Sequence, residues 1–224
     1  GGGKAVLIGD AAKLKSEAYW RRYGKFVNSL NGKYITAEDV NTSSSDMEYI
    51  GMETEFVTGK PDYMGGSGDP SPLTAYGVYM GMKAAAKKAW GDDGLSARRI
   101  LVQGAGHVGQ YLIGHLVGEG AKVMVSDINE AKLKEVKEKY PAVAVVSNDN
   151  IFDNEMDIYA PCALGASVNT DSISKMKCPV IAGAANNQLA DENVHGPMLL
   201  EKGIIYVPDF LINAGGIINI SIEL

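Results

Sequence analysis

Between Ser16 and Gly32 the apolar residues Tyr19, Trp20, Tyr23, Phe26, Val27 and Leu30 recur at helical spacing. The stripe predicts an amphipathic helix, opened by Ser16-Glu17 and closed by Asn31-Gly32, where glycine accepts the left-handed turn that stops a helix. On either side lie short apolar runs without that spacing, Ala5-Val6-Leu7-Ile8 and Lys33-Tyr34-Ile35-Thr36-Ala37, which read as strands. Strand, helix and strand in succession make residues 1–70 part of an α/β domain.

A loop rich in Gly, Asp, Pro and Ser runs from Gly59 to Pro72, and the domain boundary is expected at its end. Ser71-Pro72 is a suitable cap and first turn for a helix through Ala84, Ala85, Ala86 and Trp90 that Gly91 stops. From Arg99 the pattern repeats. Ile100-Leu101-Val102, Val123-Met124-Val125 and Val143-Ala144-Val145 read as strands, separated by helices through Leu112 and Leu116 and through Leu133 and Val136. Further apolar runs follow at Asp157-Ile158-Tyr159, Val180-Ile181-Ala182 and Ile204-Ile205-Tyr206-Val207. Alternation of this kind predicts a parallel, doubly wound sheet, so residues 71–224 are expected to form a second, Rossmann-type α/β domain.

Composition narrows the partners. With 46% hydrophobic and 21% charged residues and a formal charge of −6, the chain reads as an ordinary soluble protein without the basic footprint that nucleic acid or an anionic membrane would require. No run is apolar enough to span a membrane, no secretory leader is recognisable, and only Cys162 and Cys178 are available for a disulfide, so the cytoplasm is the expected compartment. Glycine is the outlier: its 27 residues cluster, which implies tight turns and close backbone approaches.

The densest cluster is Gly104-Ala105-Gly106-His107-Val108-Gly109, placed after a strand, at the start of a helix, and one strand ahead of Asp127. That full context is the dinucleotide fingerprint. Gly104 would make the tight turn, Gly106 would let the backbone approach a pyrophosphate at the helix N-terminus, and Gly109 would let helix and strand pack closely. Asp127 would accept hydrogen bonds from the adenosine ribose and repel a 2′-phosphate. No arginine follows it, so NAD is expected rather than NADP. The plain alternative for Asp127 is an N-cap of the next helix.

Other candidates are weaker from the residues alone. His107 reads as spacing within the loop; His115 and His195 lack partners at metal-ligand spacing, as do the two cysteines, so no metal is expected. Lys4, behind Gly1-Gly2-Gly3, is a possible base, because a lysine desolvated in a cleft has a lowered pKa, although a lysine beside a glycine turn is otherwise a solvated surface residue. Asp39, just past a strand, could hold an ammonium and exchange protons with a lysine, or be a simple turn carboxylate.

Several longer stretches change those readings. Gly1-Gly2-Gly3-Lys4, Tyr34-Ile35-Thr36-Ala37-Glu38-Asp39-Val40, Pro70-Ser71-Pro72-Leu73-Thr74-Ala75-Tyr76-Gly77-Val78, the glycine loop, Asp157-Ile158-Tyr159-Ala160-Pro161-Cys162-Ala163-Leu164-Gly165, Gly183-Ala184-Ala185-Asn186-Asn187-Gln188-Leu189 and Ile212-Asn213-Ala214-Gly215-Gly216 together span nearly the whole chain. The sequence resembles the amino-acid dehydrogenases of the glutamate, leucine, phenylalanine and valine group, most closely its leucine-specific members. That resemblance implies NAD-dependent oxidative deamination of a branched-chain L-amino acid, leucine foremost with valine and isoleucine, by a homo-oligomer. It makes Lys4 the catalytic base and Asp39 its proton-relay partner. Thr74 would contact the nicotinamide carboxamide and Asn186 would lie beside nicotinamide and substrate. Ala37, Ile217 and Ile220 would line an apolar side-chain pocket.

The family also has a carboxylate-binding lysine about a dozen positions before the catalytic one, and helices that return to its first domain at the C-terminal end. The first falls before residue 1 and the second after residue 224, so the chain is expected to be a fragment lacking both termini. The alternatives are a valine or phenylalanine specificity within the same group, or an NAD-binding module that turns nothing over.

Overall fold

The computed structural model describes residues 3–39 and 41–223. Gly1, Gly2 and Val40, all in motifs quoted above, and Leu224 lie outside the described residues. The chain divides into two compact units, Gly1–Pro70 with Ile217–Leu224, and Ser71–Gly216. Thus the stretch Ile217–Leu224, expected with the second domain, groups with the first unit.

In the first unit a short turn of helix, α1 (Ala11–Leu14), precedes α2 (Glu17–Ser29) and α3 (Ser44–Gly51). The Ser16 side chain accepts from the Tyr19 amide and starts α2, as its position predicts. The apolar stripe of α2 buries Trp20 with Met47, Ile50 and Val57, and Val27 on the same helix is also buried. Gly24 allows the close crossing of α2 on α3, since a Cβ there would lie 2.7 Å from the Ile50 carbonyl oxygen. The sequence pattern did not anticipate α3. Its only local sign is Ser43 followed by Asp46, whose carboxylate accepts from the Ser43 amide at 2.9 Å.

The two expected strands of this unit need correction. Residues 5–8 lie in no strand, with Val6 77% and Ile8 94% exposed, and 33–37 contributes a single parallel bridge, Thr36 to Val57. A strand is defined by a paired neighbour, and among the described residues none offers a ladder to 5–8.

The second unit begins with α4 (Ser71–Trp90), stopped at Gly91 with φ 79°. It continues through β1 (Arg99–Gln103), α5 (His107–Gly118), β2 (Lys122–Ser126), α6 (Glu130–Lys139), β3 (Ala144–Val145), β4 (Ile158–Pro161), α7 (Thr170–Lys175), β5 (Val180–Ile181), α8 (Glu192–Glu201), β6 (Ile205–Tyr206) and α9 (Asp209–Ile212). A last helix, α10 (Gly215–Ile220), starts in this unit and ends in the other. The six strands are all parallel in the order β3-β2-β1-β4-β5-β6, with Ile100 beside Val123 on one side and Ile158 on the other.

Because side chains alternate along a strand, each central strand feeds two cores. Ile100, Val102, Ile158, Ala160 and Val180 join α4 and α5 on one face through Val78, Met82, Leu112, Ile113 and Leu116. Leu101, Tyr159 and Ile181 join Ile173, Met176 and Leu199 on the other. Both faces are covered, which is why these strands read as unbroken apolar runs. The strand order reverses beside β1, and in such sheets the crevice at the carboxyl ends of the strands there is the ligand site. No described helix is long and apolar enough to cross a membrane.

Candidate functional site

The glycine loop joins β1 to α5 at that crevice. Gly104 has φ 114°, and a Cβ on it would lie 2.8 Å from backbone atoms of Cys162 and Ala163, just past β4. Gly109 seats α5 against the loop: a Cβ there would stand 2.0 Å from the Gly104 carbonyl oxygen. Gly106 differs from both. A Cβ there would meet no described atom within 4 Å, and no side chain caps α5 at this N-cap position. Free amides at a helix start, bordered by unfilled space, suit an anionic group. His107 is the first residue of α5 and is exposed, with Val108 behind it half-buried.

Asp127, at the end of β2, reaches this loop directly. Its carboxylate accepts from the Ala105 amide at 2.7 Å and from the Asn129 amide at 2.8 Å. The N-cap of α6 is Asn129, whose side chain accepts from Ala131 and Lys132, so the capping alternative for Asp127 does not hold. Each carboxylate oxygen accepts more than one hydrogen bond, which leaves capacity for a ribose hydroxyl.

On the far side of β4, Asn186 is exposed and its Oδ1 accepts from Asn213 Nδ2 at 2.6 Å. The same amide nitrogen donates to the Ala184 carbonyl at 3.1 Å. Asp209 accepts from the Gln188 amide at 3.2 Å, and the buried Gln188 side chain donates to Gly183 and Ala185 carbonyls. Two ties therefore fix the 183–188 loop on α9 and the turn after it. Asn213 lies within the Ile212–Gly216 motif, and nothing local marks it as the residue that orients Asn186. Thr74 sits half-buried in the first turn of α4. There Gly215 passes so close that a Cβ would lie 2.2 Å from the Leu73 carbonyl oxygen and 3.3 Å from Thr74 Cα.

In the other unit, Lys4 Nζ is paired with the Asp39 carboxylate, and their side chains are 65% and 45% exposed. Gly3 lies against the ring of Tyr34, where a Cβ would be 2.9 Å from Cδ2. Thr42 fixes Asp39 by accepting from its amide and donating to its carbonyl, both at 2.7 Å. Ala37 is half-buried, Ile217 is 64% exposed and Ile220 is 8% exposed. So this unit brings Lys4 and Asp39 together, while the glycine loop, Asp127, Thr74 and Asn186 belong to the other.

The remaining polar candidates have structural employment. His195 is buried, its Nδ1 accepting from the Asp191 amide at 2.9 Å and its Nε2 next to Thr170 Oγ1. Cys162 and Cys178 are free thiols, and burial pushes both up, Cys178 to about 11.

The parallel sheet order and the glycine loop between β1 and α5 define an α/β unit of the Rossmann type. Residues 1–56 match the Glu/Leu/Phe/Val dehydrogenase dimerisation domain, and residues 65–131 and 125–224 match the Glutamate/Leucine/Phenylalanine/Valine dehydrogenase family. The chain belongs to that family. It is 55% identical over 224 residues to a leucine dehydrogenase of Thermoactinomyces intermedius, covering 100% of this chain and 61% of that one. A valine dehydrogenase of Streptomyces coelicolor is 45% identical over 226 residues, covering 100% and 62%. The chain thus spans roughly three-fifths of the length of the curated relatives it matches. Among solved structures, L-tryptophan dehydrogenase of Nostoc punctiforme superimposes with a TM-score of 0.74 at 42% identity, over 93% of this chain and 59% of that one. A hetero-hexameric glutamate dehydrogenase of Thermus thermophilus gives 0.75 at 25% identity, over 92% and 55%.

Proposed function

We propose that the protein carrying this chain oxidatively deaminates branched-chain L-amino acids, leucine first, to the 2-oxo acid and ammonia with NAD as the oxidant. The observation that carries the reading is the Lys4–Asp39 pair, two residues far apart in sequence that meet in a chain whose relatives are named leucine and valine dehydrogenases.

The residues around Gly106 fit a dinucleotide: the space where a Gly106 side chain would sit is open at the uncapped start of α5, and Asp127 is tied to the same loop. When bound, the nicotinamide supplies the acceptor for the substrate's Cα hydride. Lys4 is the base: it takes a proton from the substrate ammonium and passes it to solvent before the hydride leaves, then takes a proton from the water that adds to the iminium so formed. Asp39 receives that proton from Lys4 and delivers it to the amine nitrogen, and Lys4 then removes the carbinol O–H proton as the C–N bond breaks and ammonia leaves. Asn186, held by Asn213, offers its amide nitrogen as a donor beside the reacting carbon. Thr74 holds the carboxamide. Asp127 selects NAD, since a 2′-phosphate would bring a second negative group against its carboxylate without an arginine to offset it.

Ala37, Ile217 and Ile220 give the side-chain pocket an apolar lining, which suits leucine, valine and isoleucine and leaves a glutamate carboxylate without a cation. The two units correspond to a substrate domain and an NAD-binding domain. The assembly is a homo-oligomer, for which the dimerisation-domain match to residues 1–56 is the support. On this reading the reaction belongs to the cytoplasm.

The test is Lys4→Ala in the full-length protein. It should lower kcat by about 10² to 10⁴ while leaving the Kd for NAD nearly unchanged. A variant that keeps its rate would remove Lys4 from the chemistry and make Asp39 the first residue to examine.

A further inference from the structure

Glu223 lies outside every motif above, yet its carboxylate gathers donors from a loop 164 and 156 residues away in sequence. Oε1 accepts from the Gly59 amide at 2.9 Å, from the Ser67 amide at 2.8 Å, and from Ser67 Oγ. The loop is built to present those groups. Gly59 has φ 74°, and the chain closes on itself where Gly66 N–H meets the Pro61 carbonyl at 3.2 Å and Gly68 N–H meets the Lys60 carbonyl at 3.0 Å. Gly66 leaves no room for a side chain, because a Cβ would stand 2.0 Å from the Lys60 carbonyl oxygen. One turn before Glu223, Asn219 Nδ2 adds a longer bond to the Ser67 carbonyl at 3.4 Å. Burial would raise the Glu223 pKa, but the hydrogen bonds from Ser67 and from the Gly59 and Lys60 amides outweigh it and leave the carboxyl below its ordinary value. The charged form is the one the loop holds.

The segment so fastened is Ile217–Glu223, which carries two of the three pocket residues of the reading above. It is short, ends in a single turn of 3-10 helix, and shows Ile217 and Ile218 to solvent, so apolar packing alone does not fix it. We infer that Glu223 is a positioning residue for substrate selectivity: by anchoring its segment to the 59–68 loop it holds Ile217 and Ile220 at the depth that suits a branched aliphatic side chain. This rests on Ile217 and Ile220 lining the pocket.

The experiment uses the full-length protein with Glu223→Ala, Glu223→Gln, Ile217→Ala and Ile220→Ala, measuring KM and kcat for leucine and phenylalanine and the KM for NAD. Glu223→Ala should raise the KM for leucine about tenfold, compress the leucine-to-phenylalanine ratio of kcat/KM by a similar factor, and leave the KM for NAD unchanged. Glu223→Gln keeps an acceptor for the loop amides and should recover part of the ratio. A purely structural role would lower Tm in both variants without moving the ratio, and that result overturns the proposal. The isoleucine variants judge the pocket separately. If neither alters the ratio, the pocket assignment falls; if they do and Glu223→Ala does not, the pocket stands and the anchor falls.

Discussion

At Gly104 and Gly106, two positions apart in one loop, the same substitution should have opposite consequences. Gly104 combines a φ of 114° with backbone only 2.8 Å from where a Cβ would sit, so Gly104→Ala meets both left-handed strain and a contact that cannot rotate away. It should cost about 2–3 kcal/mol of stability. Gly106 has φ −71° and open space around its missing side chain. Gly106→Ala should change stability by less than about 0.5 kcal/mol, since the conformation is ordinary and the loss of a good N-cap residue is partly offset by a stiffer unfolded chain. Its added methyl would occupy the space a pyrophosphate needs, so the Kd for NAD should rise about tenfold or more. Thermal unfolding and NAD titration of both variants check this pair, and equal NAD affinity in Gly106→Ala would remove the pyrophosphate from that spot. This division was partly legible beforehand, because the fingerprint assigns each glycine a task. The pairing of Lys4 with Asp39 was expected through the family resemblance alone, since nothing in either local sequence says that the two chain segments meet.

Elements differ in how openly they announce themselves. Strands β1, β2 and β4 are buried on both faces and show as plain apolar runs, and α2 and α4 carry their start and stop residues beside them. Helix α8 is harder: Pro197 lies inside it and its apolar residues form no stripe, so only Asp191 at its cap marks it. The run at 5–8 shows the converse, an apolar pattern that needs a partner to become a strand. Junctions between elements are the least legible. Glu119, at the end of α5, accepts from Tyr79 at 2.6 Å and Lys83 at 2.9 Å on α4, and from the Leu95 amide at 3.0 Å. Burial pushes its carboxyl up, but these hydrogen bonds and the Lys83 charge prevail and hold it below the ordinary value. A lowered folded-state pKa gives stability that is full above the unfolded value of about 4.3 and is lost as pH falls through the folded one. Glu119→Gln should therefore lower Tm at pH 7 and flatten the fall of Tm below about pH 4.5. An unchanged acid slope in thermal melts would show that Glu119 is not among the carboxylates that set it.

At the scale of the whole molecule the proposed roles divide between the units: a base with its relay partner and an apolar lining for the side chain in one, and a dinucleotide loop with its acidic guard in the other. On the proposed pocket assignment, a glutamate side chain would place its carboxylate against Ala37, Ile217 and Ile220 without a counter-charge, which costs several kcal/mol when water is excluded. The most direct measurement is the initial rate of NADH formation by the full-length protein across leucine, valine, isoleucine, phenylalanine and glutamate, repeated with NADP. The highest kcat/KM is expected for leucine with NAD, with glutamate lower by about a hundredfold or more and NADP a poor substitute. Glutamate as the best substrate, or equal use of NADP, would contradict it.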